Sequence, residues 1–333
     1  MPETQNIRND NAHEQGIRFL SLLNLMTLME NMDSIIPLKE AKTNEDLIKL
    51  LQTKHGLQID DIEYALTTLS RVGYYRLSGY GIGLYQSDNK ELFRPDVTFQ
   101  TIVDLYEFDS KFKNLLFFII EQAEIDLRAK ISNHLAIKYS PDCLNDYELF
   151  DDYSKGNGES IYQSIVNDLE KEVRRQRKNP FVRHHNNKYQ GKFPIWVAIE
   201  LFTFGNLSSL FSILKKEDKR SIASYYQTSP HYLKSWILSF LEVRNICAHS
   251  GRLYNLPLKQ RPSLYSEYAR FQKGKNTKVF EVILALKRFM KHRPTDWECF
   301  VTQLSALFDQ YGKSVQLSFI GFPPDWKDIL TSS

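Results

Sequence analysis

The sequence predicts an all-α protein, and three observations carry that expectation. From residue 44 onward apolar side chains recur at three- and four-residue spacing, the period of a helix with one buried face. The longest such stretch, 98–139, carries Ile102, Leu105, Phe108, Phe112, Leu116, Ile119, Ala123, Leu127, Ile131 and Leu135. Glycine and proline are sparse, 14 and 12 among 333 residues. A hydrophobic content of 42% lets the chain bury a substantial core, as one large or two smaller domains.

Taken in order, 19–29 is apolar enough to suggest a targeting segment. It is too short to span a bilayer, is interrupted by Ser21, Asn24 and Thr27, and lacks a basic leader and a small-residue cleavage site. Residues 1–35 read as an N-terminal extension, amphipathic or disordered, and Met26, Met29 and Met32 leave room for a downstream start. Asn44 is placed to cap a helix to about His55, stopped by Gly56, and Asp60 with Glu63 resembles a capping box for a helix to about Arg71. Gly73-Tyr74-Tyr75-Arg76-Leu77-Ser78-Gly79-Tyr80-Gly81 is too glycine-punctuated for a clean helix, and 81–94 reads as a short hairpin or loop. These make 36–97 an N-terminal helical region.

The stretch 98–139 would span roughly 60 Å as one helix, so a kink or break is expected in it. Its polar intrusions are Glu121, Glu124, Arg128 and His134. Glu124 and Arg128, four apart, suit a helix-surface ion pair, or one of them orients a residue of the motif below. Residues 141–160 read as loop, and a basic helix follows. From Lys171 to Lys192 stand eight cations, Lys171, Arg174, Arg175, Arg177, Lys178, Arg183, Lys188 and Lys192, with His184 and His185, against one acid, Glu172. Such a cluster suits phosphate neutralisation and equally suits a solvated face. A buried helix bent or broken at Gly205, a helix from Ser229, an irregular stretch 253–274 and helices near 277–291 and 294–311 complete a domain 98–333 with a basic insertion around 171–192.

With 43 Lys+Arg against 40 Asp+Glu, a net charge of +3 offers no bulk basic field, so any nucleic-acid surface must be local. Cys143, Cys247 and Cys299 are far apart and lack metal-ligand spacing, which argues for reduced thiols in a cytoplasm and against a zinc site.

The chemistry concentrates at Arg244-Asn245-Ile246-Cys247-Ala248-His249-Ser250-Gly251-Arg252-Leu253-Tyr254-Asn255. The helix leading into it has Ser229 to cap it, Pro230 at its first position and Leu233, Trp236, Ile237, Phe240 and Leu241 at helical spacing. If that helix continues, Asn245 and His249 share a face with Arg252. Arg244 lies about 140° from His249, within reach of the same cleft through its long side chain. The same residues would also serve simply to lock the helix to its neighbours.

Arg-Asn-x-x-Ala-His-x-x-Arg-Leu-Tyr-Asn resembles the signature of the Abi-like (AbiD/AbiF) abortive-infection family, whose Arg-x4-6-His element places it in the HEPN superfamily of helical ribonucleases. Arg244 to His249 fits as Arg-x4-His. The Tyr-Tyr-Arg-Leu-Ser-Gly-Tyr box, the Leu-Tyr-x-Phe-Asp…Ile-Glu-x-x-Glu-x-x-Leu-Arg run, a Pro-x-Trp…Phe-Gly-x-Leu-Ser block and a terminal Pro-x-x-Trp box match in the expected order, over about 36–330. Ser250 departs from the second His or Tyr that many relatives carry.

The resemblance implies a HEPN-type helical bundle with additional N-terminal and C-terminal helices, acting as a homodimer with a composite site and needing no metal and no cofactor. Arg244 and His249, with Asn245, would be catalytic, and Arg252, Glu124 and Arg128 supporting. Tyr74, Tyr75, Arg76 and Tyr80 would grip RNA or wedge their loop into the core. The alternative is a non-catalytic RNA-binding protein, joined to a structured small noncoding RNA. A third reading is a HEPN partner nucleotidylated on a tyrosine just past the motif; it would use Tyr254.

Overall fold

A computed structural model of the chain describes residues 38–154 and 158–332. The expectations for 1–37, the apolar run among them, lie outside the described residues. The chain divides into two units, Met1–Leu47 and Ile48–Ser333. In the first, the Thr43 hydroxyl accepts from the Asp46 amide at 3.1 Å, so Thr43 and not Asn44 caps helix α1, Asn44–Thr53.

The second unit is all-α. After α1 come α2 (Ile62–Val72), α3 (Tyr74–Ser78), α4 (Phe99–Lys138), α5 (Ile161–Arg175), α6 (Pro180–Tyr189), α7 (Ile195–Ala198) and α8 (Phe204–Ile213). They are followed by α9 (Lys216–Tyr225), α10 (Pro230–Ala248), α11 (Val279–Phe289), α12 (Pro294–Tyr311), α13 (Leu317–Ile320) and α14 (Trp326–Thr331). Among the described residues there is no strand, only isolated bridges such as Tyr85 with Phe93 in the loop after the aromatic box. No helix among them is long and apolar enough to cross a membrane.

The core is built around α4, which packs most extensively against α12 and α10 and also against α9 and α7. It is one unbroken helix of 40 residues and not the interrupted one expected from its length. No Pro or Gly lies between Phe99 and Lys138 to break its hydrogen-bond ladder. Thr98 starts it with a reciprocal capping box to Thr101. Helices packed on several sides leave Leu105, Phe108, Phe112, Leu116, Ile119, Ile120, Leu127 and Ile131 fully buried, as befits a helix that is apolar on more than one face.

Other boundaries move by short distances. The cap of α2 is Asp61, which accepts from the Tyr64 amide at 2.8 Å, while Asp60 takes the Gln58 amide side chain instead. The aromatic box holds a five-residue helix, α3, followed by a 3-10 turn at Gly79–Gly81, where a loop was expected. The break expected at Gly205 falls earlier, between Leu201 and Phe204, because Thr203 caps α8 by accepting from the Asn206 amide. The basic stretch is two helices, α5 and α6, separated at Gln176–Asn179, with Asn179 capping and Pro180 opening the second. Past α13 the chain reverses at Gly321, where a φ of +82° opposes a side chain and an added Cβ would stand 2.5 Å from Lys278 Cβ. The reversal sends Phe322 and Trp326 into an aromatic cluster with Phe308, Phe112 and Phe280.

Candidate functional site

Helix α10 buries Leu233, Trp236, Ile237, Phe240 and Val243, the stripe that seats it against α4 and α11. Ser229 occupies the cap position without a side-chain hydrogen bond, and Pro230 fills the first turn, where an amide donor is not needed. The helix stops at Ala248, inside the motif. His249 is the cap residue, Ser250 turns left-handed at φ 53°, and the amides of Ser250 and Gly251 reach back to the carbonyls of Cys247 (3.1 Å) and Ile246 (2.8 Å). That is the double hydrogen-bonded ending usually built on glycine; here serine takes the left-handed position at a cost of about 1–2 kcal/mol. Gly251 follows because a Cβ there would lie 3.3 Å from the Ile246 carbonyl.

This ending corrects the expectation that Asn245, His249 and Arg252 share a helical face. Arg252 leaves the helix axis and donates to the Gly79 carbonyl at 2.5 Å, tying the turn to the aromatic box. Arg76 donates to the Ser250 carbonyl at 2.8 Å and Lys113 to the Gly251 carbonyl at 2.7 Å. Beneath them Asp109, fully buried, accepts from the amides of Leu253 (3.2 Å) and Tyr254 (2.7 Å) and from the Tyr80 hydroxyl (2.7 Å), and pairs with Lys113 at 3.1 Å. Sequence reasoning missed Asp109 and Lys113. Their signal was an acid and a base four residues apart, in register with Phe108, Phe112 and Leu116 on the buried side of α4.

Arg244 is half-buried on α10. Its Nε lies 3.7 Å from Glu124, its guanidinium stands 5.9 Å from the centroid of Phe117, and Nη1 makes a long 3.4 Å contact to the Asn245 side chain. The other Glu124 oxygen pairs with Arg128, which itself donates to the carbonyls of Ile199 and Phe202. Glu124 therefore holds both arginines, and Arg244 Nη2 has no hydrogen bond among the described residues. One residue past the helix, His249 is exposed, and no described side chain hydrogen-bonds its imidazole. The arrangement offers a positioned cation with an open edge for phosphoryl oxygens and a free imidazole for proton transfer. Cys247 between them is no nucleophile: burial, with a smaller contribution from Asp109, pushes its thiol up to about 12.

The remaining candidate residues scatter. Tyr80 is buried on Asp109 and cannot stack on RNA; Tyr74 is half-buried, whereas Tyr75 is 93% exposed. Arg76 is exposed but committed to Ser250. In the basic stretch Lys171, Arg174 and Arg175 pair with Asp168, Glu170 and Glu172, acids mostly just upstream of the stretch. Among the described residues Arg177, Lys178, Arg183, Lys188 and Lys192 make no ion pair, and all are exposed. The Tyr254 ring is buried with its hydroxyl accepting from the Gln316 amide, which removes it as a modification target. A cavity of about 740 Å³ lies apart from these residues, between Lys287, Trp297, Val301, Lys327 and Leu330.

Comparison with known families finds a match to the model described as Abi-like protein over residues 67–255, more than half the chain and running from within α2 through the turn after His249. No curated protein and no solved structure matches.

Proposed function

The chain belongs to the Abi-like protein family, and from that premise we propose that it acts in abortive infection as a metal-independent RNA endonuclease of the HEPN kind, with Arg244 and His249 of two copies forming one site. What carries this reading is the contrast between an Arg244 seated by Glu124 and Phe117 and, next to it in the chain's course, an exposed His249 with nothing to hold. A purely structural arginine-histidine pair would spend both side chains on neighbours.

In the reaction, a 2′-oxygen bonds to the adjacent phosphorus while its proton passes to a neutral imidazole. The bond from phosphorus to the 5′-oxygen breaks, and a second, protonated imidazole supplies the proton that the leaving oxygen takes. The products are a 2′,3′-cyclic phosphate and a 5′-hydroxyl. Arg244 neutralises the charge growing on the non-bridging oxygens. Two proton transfers ask for two groups, and the partner's His249 is the second. Supporting such a pairing, Phe118 and Ile125 are each 53% exposed, seven residues apart on α4, and adjoin the two residues that hold Arg244.

His249→Ala should lower RNA cleavage by about 10²–10⁴ and Arg244→Ala by about 10²–10³, with the double variant far from additive because both act on one transition state. Rates are to be measured on EDTA-treated protein beside its melting temperature, which should hold for His249→Ala. A folded His249→Ala protein cutting RNA at the parental rate would sink the nuclease reading. In its place would stand an RNA-binding scaffold, a second reading favoured by the exposed, unpaired cations of α6 and its flanks.

A further inference from the structure

No acidic residue occurs from 173 to 199, a segment carrying seven Lys and Arg, and five of those cations are exposed and unpaired among the described residues. Within the same segment lies an aromatic ledge. The His185 ring stacks on Phe193 at 5.4 Å and 12°, Tyr189 adjoins His185 at 5.2 Å, and Trp196 follows Phe193 by three residues. Tyr189 is 44% and Trp196 47% exposed, although Ile195 and Ala198 on either side of Trp196 are buried. The contrast with the other tryptophans is sharp: Trp236, Trp297 and Trp326 are all below 9% exposed. A large indole held out of the core on a four-residue helix, in a segment with no acid and seven Lys and Arg, has the chemistry of a stacking surface flanked by phosphate contacts. The turn that directly follows that helix is tied to the candidate site: Arg128 holds the carbonyls of Ile199 and Phe202 and shares Glu124 with Arg244.

We propose that Trp196, with Tyr189, is a base-stacking platform for single-stranded RNA whose phosphates follow Arg177, Lys178, Arg183, Lys188 and Lys192. The proposal rests on the reading of this protein as one that acts on RNA, and it narrows the substrate to unpaired strands, because a base within a duplex presents no free face to an indole. It also assigns Trp196 a share of affinity that salt does not touch, since stacking releases no counterions.

The test is a titration of the full chain with a short 2′-O-methyl oligoadenylate, which lacks the attacking hydroxyl, followed by tryptophan fluorescence and by anisotropy of a labelled strand. Trp196 should be open to acrylamide before RNA is added and protected afterwards, and its emission should be quenched by the single strand and not by the matching duplex. Trp196→Phe should abolish the quench while keeping most of the affinity. Trp196→Ala should weaken binding roughly tenfold, within the range for one stacked base, with the salt slope unchanged. Full affinity in Trp196→Ala, a quench that survives in Trp196→Phe, or an indole already shielded by a second copy would each overturn the platform. Those outcomes leave the Arg244 and His249 assignment standing, whereas a strand that does not bind the parent at all sinks both readings together.

Discussion

Glu124 has two oxygens and two arginines to serve, and it is nearly out of solvent. Arg128 is buried as well, so removing the carboxylate charge leaves a guanidinium held only by carbonyl oxygens. Breaking a buried ion pair on one side costs roughly 3–5 kcal/mol. Glu124→Gln keeps the shape and loses the charge, and should lower urea-unfolding stability by about that amount. Arg244, 31% exposed at its side chain, would lose its direction more than its solvation. At denaturant-free conditions the same variant should therefore lose cleavage, about tenfold or more, with RNA affinity retained. Parental stability together with parental turnover would show that the carboxylate positions nothing. Asp109 makes a different point at the same scale: it touches no candidate catalytic group, yet it collects the two amides that fix the course of the chain just beyond His249.

Along α4 the polar residues that interrupt the apolar pattern serve as anchor points for other elements. Asp109 takes the turn after α10, Glu124 takes Arg244, Asp126 takes Tyr226 at 2.8 Å, and His134 and Lys138 meet Asp218 of α9 at 2.7 Å each. Burial alone would raise the pKa of Asp218, but hydrogen bonds from Lys138, His134 and Tyr139 outweigh it and hold the carboxyl below its ordinary value. A carboxyl depressed in the folded state adds stability that is present above its unfolded pKa near 3.9 and is lost as pH falls through and below it. Asp218→Asn should thus melt lower at pH 7 and show a flatter loss of melting temperature below about pH 4; identical pH profiles would refute this account. Helices of this kind were legible in the sequence because a 3.6-residue period is local, and the Arg-x4-His motif was legible because its spacing is. The role of Asp109 was not: its i,i+4 pairing with Lys113 is local, but its other partners come from residues 80, 253 and 254, and no local pattern brings those to it. The end of α10 at Ala248 was hidden for another reason: the left-handed position holds Ser250, while the glycine that usually marks such an ending stands one place later. The basic stretch looked less neutralised than it is because its acids, Asp168 and Glu170, precede the first cation.

A net charge of +3 over the whole molecule leaves no long-range field to draw in RNA, so the strip around α6 must supply the attraction by itself. Replacing Arg177, Lys178 and Arg183 with Ala, cations that no acid neutralises, should lower the salt slope of single-strand binding by about 2. Arg174→Ala and Arg175→Ala should change it less, because Glu170 and Glu172 already pair with them; equal slopes in both sets would remove the strip from the interface.

Association is the remaining question at this scale, and the composite site stands or falls on it. The exposed Phe118 and Ile125 lie on the outward stripe of α4, one residue from Phe117 and Glu124, so a second copy covering them would lie beside the residues that seat Arg244, as the proposed two-copy site requires. Both side chains are more than half exposed, so a charge there is solvated in the monomer but buried in a dimer, where an unpaired carboxylate is strongly unfavourable. Phe118→Glu should therefore shift the protein to monomer in light scattering, keep its melting temperature within about 2 °C for a chain of this size, and lose cleavage while still binding single strands through the α6 strip. A parent that is strictly monomeric, free and with RNA bound, would rule out the two-copy site and leave one His249 to perform both proton transfers in turn.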